Sequence, residues 1–230
     1  SELQVKPVKM IEEAQKEVFD SIESSENAKI ESENLLKQAE ENLSNISEEI
    51  GALFEKTENN SYFFSRNKSV ETGTLTEKSA NVPHIMEVLN HLPAGTIIIG
   101  ELYYPGKTSK DVTPIMGSLP EKAIERQQGD YGYLHYYVHD MIYYKGKDLT
   151  SYGAGVRYSL LKRVYELYMF DSYNIDGEQF IELAHSATQN IEELIQLAFA
   201  MGEEGVVLKK RTAPYSPGKR PAWDTIKIKQ

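Results

Sequence analysis

Two hydrophobic patterns divide the chain. Over residues 10–56, apolar positions recur at helical spacing. Leu36, Ala39, Leu43, Ile46, Ile50 and Leu53 step by three and four and so share one helix seam. Ile11, Ala14, Val18 and Ile22 form an earlier stripe of the same kind, and Ser24-Ser25-Glu26-Asn27 between them predicts a break. The simplest arrangement is a helical hairpin. Its seam can pack internally, against the rest of the protein, or as a protein-partner or self-association surface through residues 36–53. Internal packing is the commoner fate, since a free coiled coil usually sustains about three or four heptads.

From Ser61 the pattern shortens to β-rich runs separated by turns. Residues 62–65 predict a strand after the Asn59-Asn60 turn, 84–90 a short helix, and 96–104 a buried strand. Ser118-Leu119-Pro120-Glu121 combines a capping serine, an early proline and a reciprocal glutamate, which predicts a helix start. Residues 134–144 predict a strand long enough for a sheet centre. Residues 159–168 and 190–200 predict helices, and 205–209 and 225–229 return to strand. Non-repeating helices and strands of this kind imply an α+β fold.

Charge changes the picture more than bulk composition does. The net charge is −10, yet the stretch from Ile11 to Glu58 carries 14 acidic and 4 basic side chains, so the remainder is balanced. The C-terminal end is locally basic, with Lys209, Lys210, Arg211, Lys219, Arg220, Lys227 and Lys229 against Asp224. We therefore divide the chain into an acidic helical segment, 1–56, and a body, 57–230. With no cysteine, disulfides, thiolate metal sites and cysteine nucleophiles are excluded. No apolar run reaches the ~20 residues of a membrane span and no signal pattern opens the chain, so a soluble, cytoplasmic protein is expected.

Several short segments carry candidate chemistry. Ile97-Ile98-Ile99 ends in Gly100-Glu101, which delivers a carboxylate at the end of a buried strand, able to receive a hydroxyl or a hydrated cation. Glu204-Gly205-Val206-Val207-Leu208-Lys209 brackets an apolar strand with an acid and a lysine. In Ile226-Lys227-Ile228-Lys229, alternation sets both lysines on one face, where they attract an anion. His135-Tyr136-Tyr137-Val138-His139-Asp140 is aromatic enough for sheet core or for a base-stacking surface. Lysines and arginines from Lys209 to Arg220 suit either a nucleic-acid backbone or solvent.

In order and spacing, Ser65-Arg66-Asn67, Gly100-Glu101-Leu102, the stretch 136–149, the Glu204–Lys209 segment and Lys227-Ile228-Lys229 resemble the later motifs of the adenylation domain of ATP-dependent DNA ligases. The resemblance covers residues 57–230. It implies a ligase-type, ATP-grasp-like nucleotidyltransferase domain of mainly antiparallel sheets with packed helices. It implies ATP and Mg2+ as cofactors and nicked duplex DNA as partner, with RNA a further substrate class in the superfamily. By resemblance, Lys227 and Lys229 contact the α-phosphate, Glu101 the ribose or metal, Glu204 the metal and Lys209 the phosphates. Arg66 supports nucleotide or DNA phosphate. The residue before Asp140 should stack on adenine; the family usually has Phe where this chain has His139, which leaves the stacking role between His139 and a neighbouring tyrosine.

The family's first motif, Lys-x-Asp-Gly, has no match upstream of Arg66. That window holds Lys37-Gln38-Ala39-Glu40, so Lys37 is the candidate nucleophile by position, without the Asp-Gly. Asn174-Ile175-Asp176-Gly177 has asparagine for lysine in the wrong part of the chain and reads as a turn. The reaction needs an amine to attack the α-phosphate and form a phosphoramidate, and an amide cannot replace it. Within this sequence no OB-fold follows the last strand, so poor nick sealing is expected. The rival reading is a non-catalytic module that binds nucleotide or DNA and recruits a partner through its helical segment.

Overall fold

The computed structural model of the protein describes residues 51–68, 74–105, 107, 109–129, 131–170, 178–200, 205–215 and 224–229. The segment predicted to be helical up to Ile50, including Lys37 and most of the seam, lies outside them. So do Asn174–Gly177, predicted to be a turn, and Glu204. Nine strands are described, β1 Gly51–Lys56, β2 Ser61–Lys68, β3 Leu75–Glu77, β4 Thr96–Tyr103, β5 His135–Tyr144, β6 Lys147–Asp148, β7 Ile181–Leu183, β8 Gly205–Lys209 and β9 Thr225–Lys229. The helices are α1 Pro83–Leu89, α2 Ser109–Met116, α3 Pro120–Gln128, α4 Ala154–Tyr168 and α5 Ile191–Ala200.

The main sheet runs β3-β2-β1-β4-β5-β6, and β7 joins the outer edge of β5 in parallel; β8 and β9 form a separate antiparallel pair. One face of the main sheet buries Ala52, Phe54, Ile98, Tyr136 and Val138 against Ile85 and Leu89 of α1, Val112 and Ile115 of α2, and Leu161 and Val164 of α4. The opposite face carries a smaller cluster, Leu53, Leu75, Ile97, Ile99, Ile142 and Tyr143, with Phe64 and Tyr215 against it. Along β4 that second face passes from Ile97 and Ile99 to the polar Glu101.

β1 corrects the helical reading of residues 51–56. Leu53, the last position of the seam, is fully buried in a strand paired with both β2 and β4. Ala52-Leu53-Phe54 is a short apolar run in which helical and doubly buried strand periods cannot be told apart. Gly51 weakens the helical choice, and two neighbouring strands decide for the sheet.

A second correction concerns Ser118. α3 does start at Pro120, but residue 119 precedes it and no side chain caps it. The Ser118 hydroxyl instead donates to the Pro114 carbonyl and accepts from Arg126 Nη1 at 2.7 Å. Arg126 donates to the same carbonyl. The end of α2 leaves carbonyls without intrahelical donors, and this pair satisfies one of them.

Two buried polar side chains hold the α2–α3 layer. Asn81 Nδ2 donates to the carbonyls of Ile115 and Ser118, and Gln127 Nε2 donates to those of Asn81 and Ala123. His84 is 7% exposed, and its Nε2 lies 2.9 Å from the Leu134 carbonyl, which requires that nitrogen to carry the proton. Burial lowers its pKa to about 4, against the raising effect of the carbonyl and with a smaller lowering from His135. The neutral ring is thus the native form. Between pH 6.5 and about 4 the unfolded chain binds a proton at His84 that the folded one does not, so stability rises with pH through that window. Acidifying from pH 7 to 4.5 should cost about 2–3 kcal/mol through this residue. His84→Gln, whose amide can still donate to Leu134, should lose that part of the slope; urea midpoints at the two pH values measure it.

Candidate functional site

The second face of the sheet changes from apolar to polar along β4. Ile97 and Ile99 belong to the small cluster, and Glu101, next on that face, is half-buried opposite Gly51 of β1 and Tyr137 of β5. Gly100 is fixed by close approach. A Cβ there would lie 2.6 Å from the Tyr136 ring and 2.6 Å from the Tyr137 carbonyl oxygen. Tyr136 needs that space because its buried hydroxyl reaches the carbonyls of Ala52 and Ile98. The glycine preceding the carboxylate thus makes room for a tyrosine ring from the neighbouring strand.

β5 then breaks its own alternation. Val138 pairs with Gly100 and Asp140 with Ile99, so His139 is the extra residue of a bulge. The bulge sets Asp140 on the same face as Glu101, one row along the sheet. His139, half-buried, directly precedes Asp140 on β5.

Asp140 is the hub of the site. Arg157 of α4 grips it with two parallel hydrogen bonds, Nε to Oδ1 and Nη2 to Oδ2, each 2.9 Å. The Met141 amide donates to Oδ1 at 2.9 Å, and Lys209 Nζ lies 3.6 Å from Oδ2. Burial pushes the carboxyl upward, but Arg157's hydrogen bonds, then the charges of Lys209 and Arg157 with a smaller effect of His139, outweigh it and hold it below the usual range. Arg157 Nη1 also donates to the carbonyls of Tyr152 and Ala213, and the Tyr215 ring lies 5.8 Å from its guanidinium.

That grip locates the β8–β9 pair. Ala213 and Tyr215 follow β8, and the amides of Ala154 and Gly155 catch the carbonyls of Ala213 and Arg211. The antiparallel register pairs Gly205 with Lys229, Val207 with Lys227 and Lys209 with Thr225, so Lys209, Lys227 and Lys229 share one face. Gly205 is also fixed by approach, since a Cβ there would fall 2.1 Å from the Ile228 carbonyl oxygen. Arg66 follows Ser65, which pairs with Ala52, so it sits at the Gly51 and Glu101 end of the sheet. Lys209 therefore meets the Asp140 neighbourhood, and Glu101 and His139 lie on adjoining strands. Glu204 and Lys37 fall outside the described residues.

Beside Glu101 lies a cluster that sequence reading missed. Glu182 of β7 is paired with Tyr137, accepts from Tyr103 and lies 2.9 Å from His135 Nδ1. The His135 hydrogen bond, against burial and together with Tyr103, lowers its pKa. Arg157 was missed as well, although it left a signal. It falls four and seven residues before Leu161 and Val164, on the buried stripe of α4, and a guanidinium there demands a buried anion. Chemically, the face offers half-buried carboxylate, an imidazole and three amines (a set suited to a phosphorylated nucleoside).

A family profile described as ATP dependent DNA ligase domain matches residues 52–229. A probable DNA ligase of Nocardioides sp. (strain ATCC BAA-499 / JS614) is 28% identical over 161 residues, 69% of this chain and 29% of that protein. Among solved structures, mycobacterial DNA ligase D complexed with ATP and MES aligns with a TM-score of 0.54 at 18% identity, covering 80% of this chain and 52% of that one. The ligase domain of M. tuberculosis LigD gives the same figures. The chain thus spans under a third of the curated relative and about half of these solved chains, and the structural likeness speaks to the fold.

The Asp140–Arg157 pair yields a stability test. Asp140→Ala or Arg157→Ala leaves one buried charge alone and should cost about 3–5 kcal/mol. Asp140→Leu combined with Arg157→Met should recover much of that loss. Chemical denaturation of the three variants measures both effects.

Proposed function

The chain belongs to the family of ATP-dependent DNA ligase adenylation domains, and on that premise we propose that it binds ATP with a divalent cation between the β4–β5 face and the β8–β9 lysines and acts on nicked duplex DNA. One observation carries this reading. Lys209, Lys227 and Lys229 share a face, and Lys209 is tied to Asp140, beside His139 and one row from Glu101. Amines on one side and a carboxylate with a ring on the other match the triphosphate and nucleoside ends of ATP.

Each residue has a proposed part. Lys227 and Lys229 hold the α-phosphate and offset charge as pyrophosphate leaves; Lys209 holds a further phosphate. Glu101 accepts from ribose hydroxyls, and His139 or a neighbouring tyrosine stacks on the base. Arg66 supports nucleotide or DNA phosphate. Mg2+ would be held by Glu101 and Glu204, since carboxylate oxygens with few protein ligands suit this hard cation. When bound it would withdraw charge from phosphoryl oxygens. Among the described residues no group of three ligands gathers. Nick sealing of this kind would serve DNA repair, recombination and replication, and the family reading places it in the cytoplasm. Among the described residues no helix is long and apolar enough to cross a membrane.

A second reading, nucleotide binding without self-adenylation, is favoured by β1. Gly51 pairs with Glu101, while Lys56, at the other end, pairs with Thr96. Lys56 is therefore about 17 Å along the strand from the site end. The sequence between Lys37 and Lys56 contains no other lysine. Intact mass after incubation with ATP and Mg2+ separates the two readings. An AMP adduct on a lysine supports the catalytic one; ATP binding with no adduct supports the binding module. Under either, ATP at a hundredfold excess over its Kd should stabilise the protein by about 2.7 kcal/mol. Lys227→Ala combined with Lys229→Ala should abolish most of that stabilisation, read by thermal unfolding with and without ATP. Absence of any ATP effect on the unaltered protein would count against both.

A further inference from the structure

We infer that Arg157 is a positioning residue for the phosphate-binding lysine Lys209, acting through Asp140; the inference rests on the ATP-binding reading above. Arg157 touches three elements that are far apart in sequence. Its bidentate grip on Asp140 fixes the strand that carries His139. Its Nη1 holds the Tyr152 carbonyl before α4 and the Ala213 carbonyl after β8. Its flat face lies against Tyr215. At 3% exposure it is buried beyond reach of a nucleotide, so it cannot be a binding residue itself.

Lys209 is differently placed. It is 26% exposed, and its amine stands 3.6 Å from the same carboxylate, on the Oδ2 atom that Arg157 Nη2 already engages. With Arg157 holding both oxygens in one plane, Oδ2 offers Lys209 a fixed point charge. The lysine stem is thereby anchored on the face that Lys227 and Lys229 share. The Ala213 contact works from the other side by fixing where the chain goes after β8. Lysine at 157 would keep the charge but not the planar fork, so it could not hold both carboxylate oxygens and both carbonyls. Asp140 would then be free to rotate, and Lys209 would lose its register with the other two amines.

The test separates a phosphate-positioning role from plain support of the fold. Affinities for ATP and for adenosine are measured by calorimetry on the full chain, for the unaltered protein and for Arg157→Lys, Lys209→Met and the double variant. Arg157→Lys should weaken ATP binding about tenfold, the worth of one charge-assisted hydrogen bond. Adenosine affinity should change less than about twofold, because no phosphate is involved. Lys209→Met should lose ATP affinity at least as much, and adding Arg157→Lys to it should bring no further loss, since the two act in series. Equal losses for ATP and adenosine, or additive losses in the double variant, would overturn the assignment. If Arg157→Lys does not fold, Asp140→Glu, which keeps the charge and displaces the carboxylate by one methylene, takes its place with the same expected split. Failure of the unaltered protein to bind ATP would instead overturn the nucleotide reading, and Arg157's role with it.

Discussion

A buried guanidinium cannot be left without an anion, and in this protein that constraint organises the site. Arg157 and Asp140 are 3% and 6% exposed, so either alone would face a desolvation cost of several kcal/mol. Together they satisfy each other, and the donors left over on Arg157 must also find acceptors. Two backbone carbonyls from separate loops meet that need. A local electrostatic requirement thus becomes a long-range geometric one: β5, the start of α4 and the connector after β8 must converge on one planar group.

The convergence explains which parts of the structure were legible in the sequence. Strands with strong periodicity or continuous apolar runs, such as Thr96–Tyr103 and His135–Tyr144, announced themselves, as did the two lysine-bearing strands. So did the family, since motif order survives where each motif alone is uninformative. β1 misled because three consecutive apolar residues fit a seam as well as a strand, and only the flanking strands distinguish them. α2 was missed because Pro114 argues against a helix, since it cannot donate to the carbonyl four residues back; burial of Val112, Ile115 and Met116 in the core carries the helix in spite of it. β7 is three residues long and exists by pairing with β5, a fact of tertiary structure.

Site residues followed the same division. Those fixed by local motif, Glu101 and the β8–β9 lysines, were found by position; those fixed by partnership, Arg157, Glu182 and His135, were not. Asp140 lies between the two classes. It was visible as part of an aromatic strand, but its role depends on a bulge that no periodicity reports, because one extra residue, His139, resets which side of β5 faces the site. The acidic-to-basic asymmetry along the chain was equally visible. Its meaning rests on the body alone, where Lys209, Lys227 and Lys229 collect on one face of the β8–β9 pair.

That pair is a sheet of its own, half-buried at best, with Val207 and Ile226 both more than two fifths exposed. Contacts that tie it to the main sheet include the Lys209–Asp140 pair, the carbonyl catches of Arg211 and Ala213 by the start of α4, and Tyr215 packed on the small apolar cluster just beyond β8. Elements held this way open before the core does, as a cooperative unit whose local stability is well below that of the whole protein. Amide hydrogens on β8 and β9 would then exchange by a partial opening that leaves β1 and β4 protected. A polyanion bridging the pair to the main sheet would act as a staple, slowing that exchange without altering the exchange of the core.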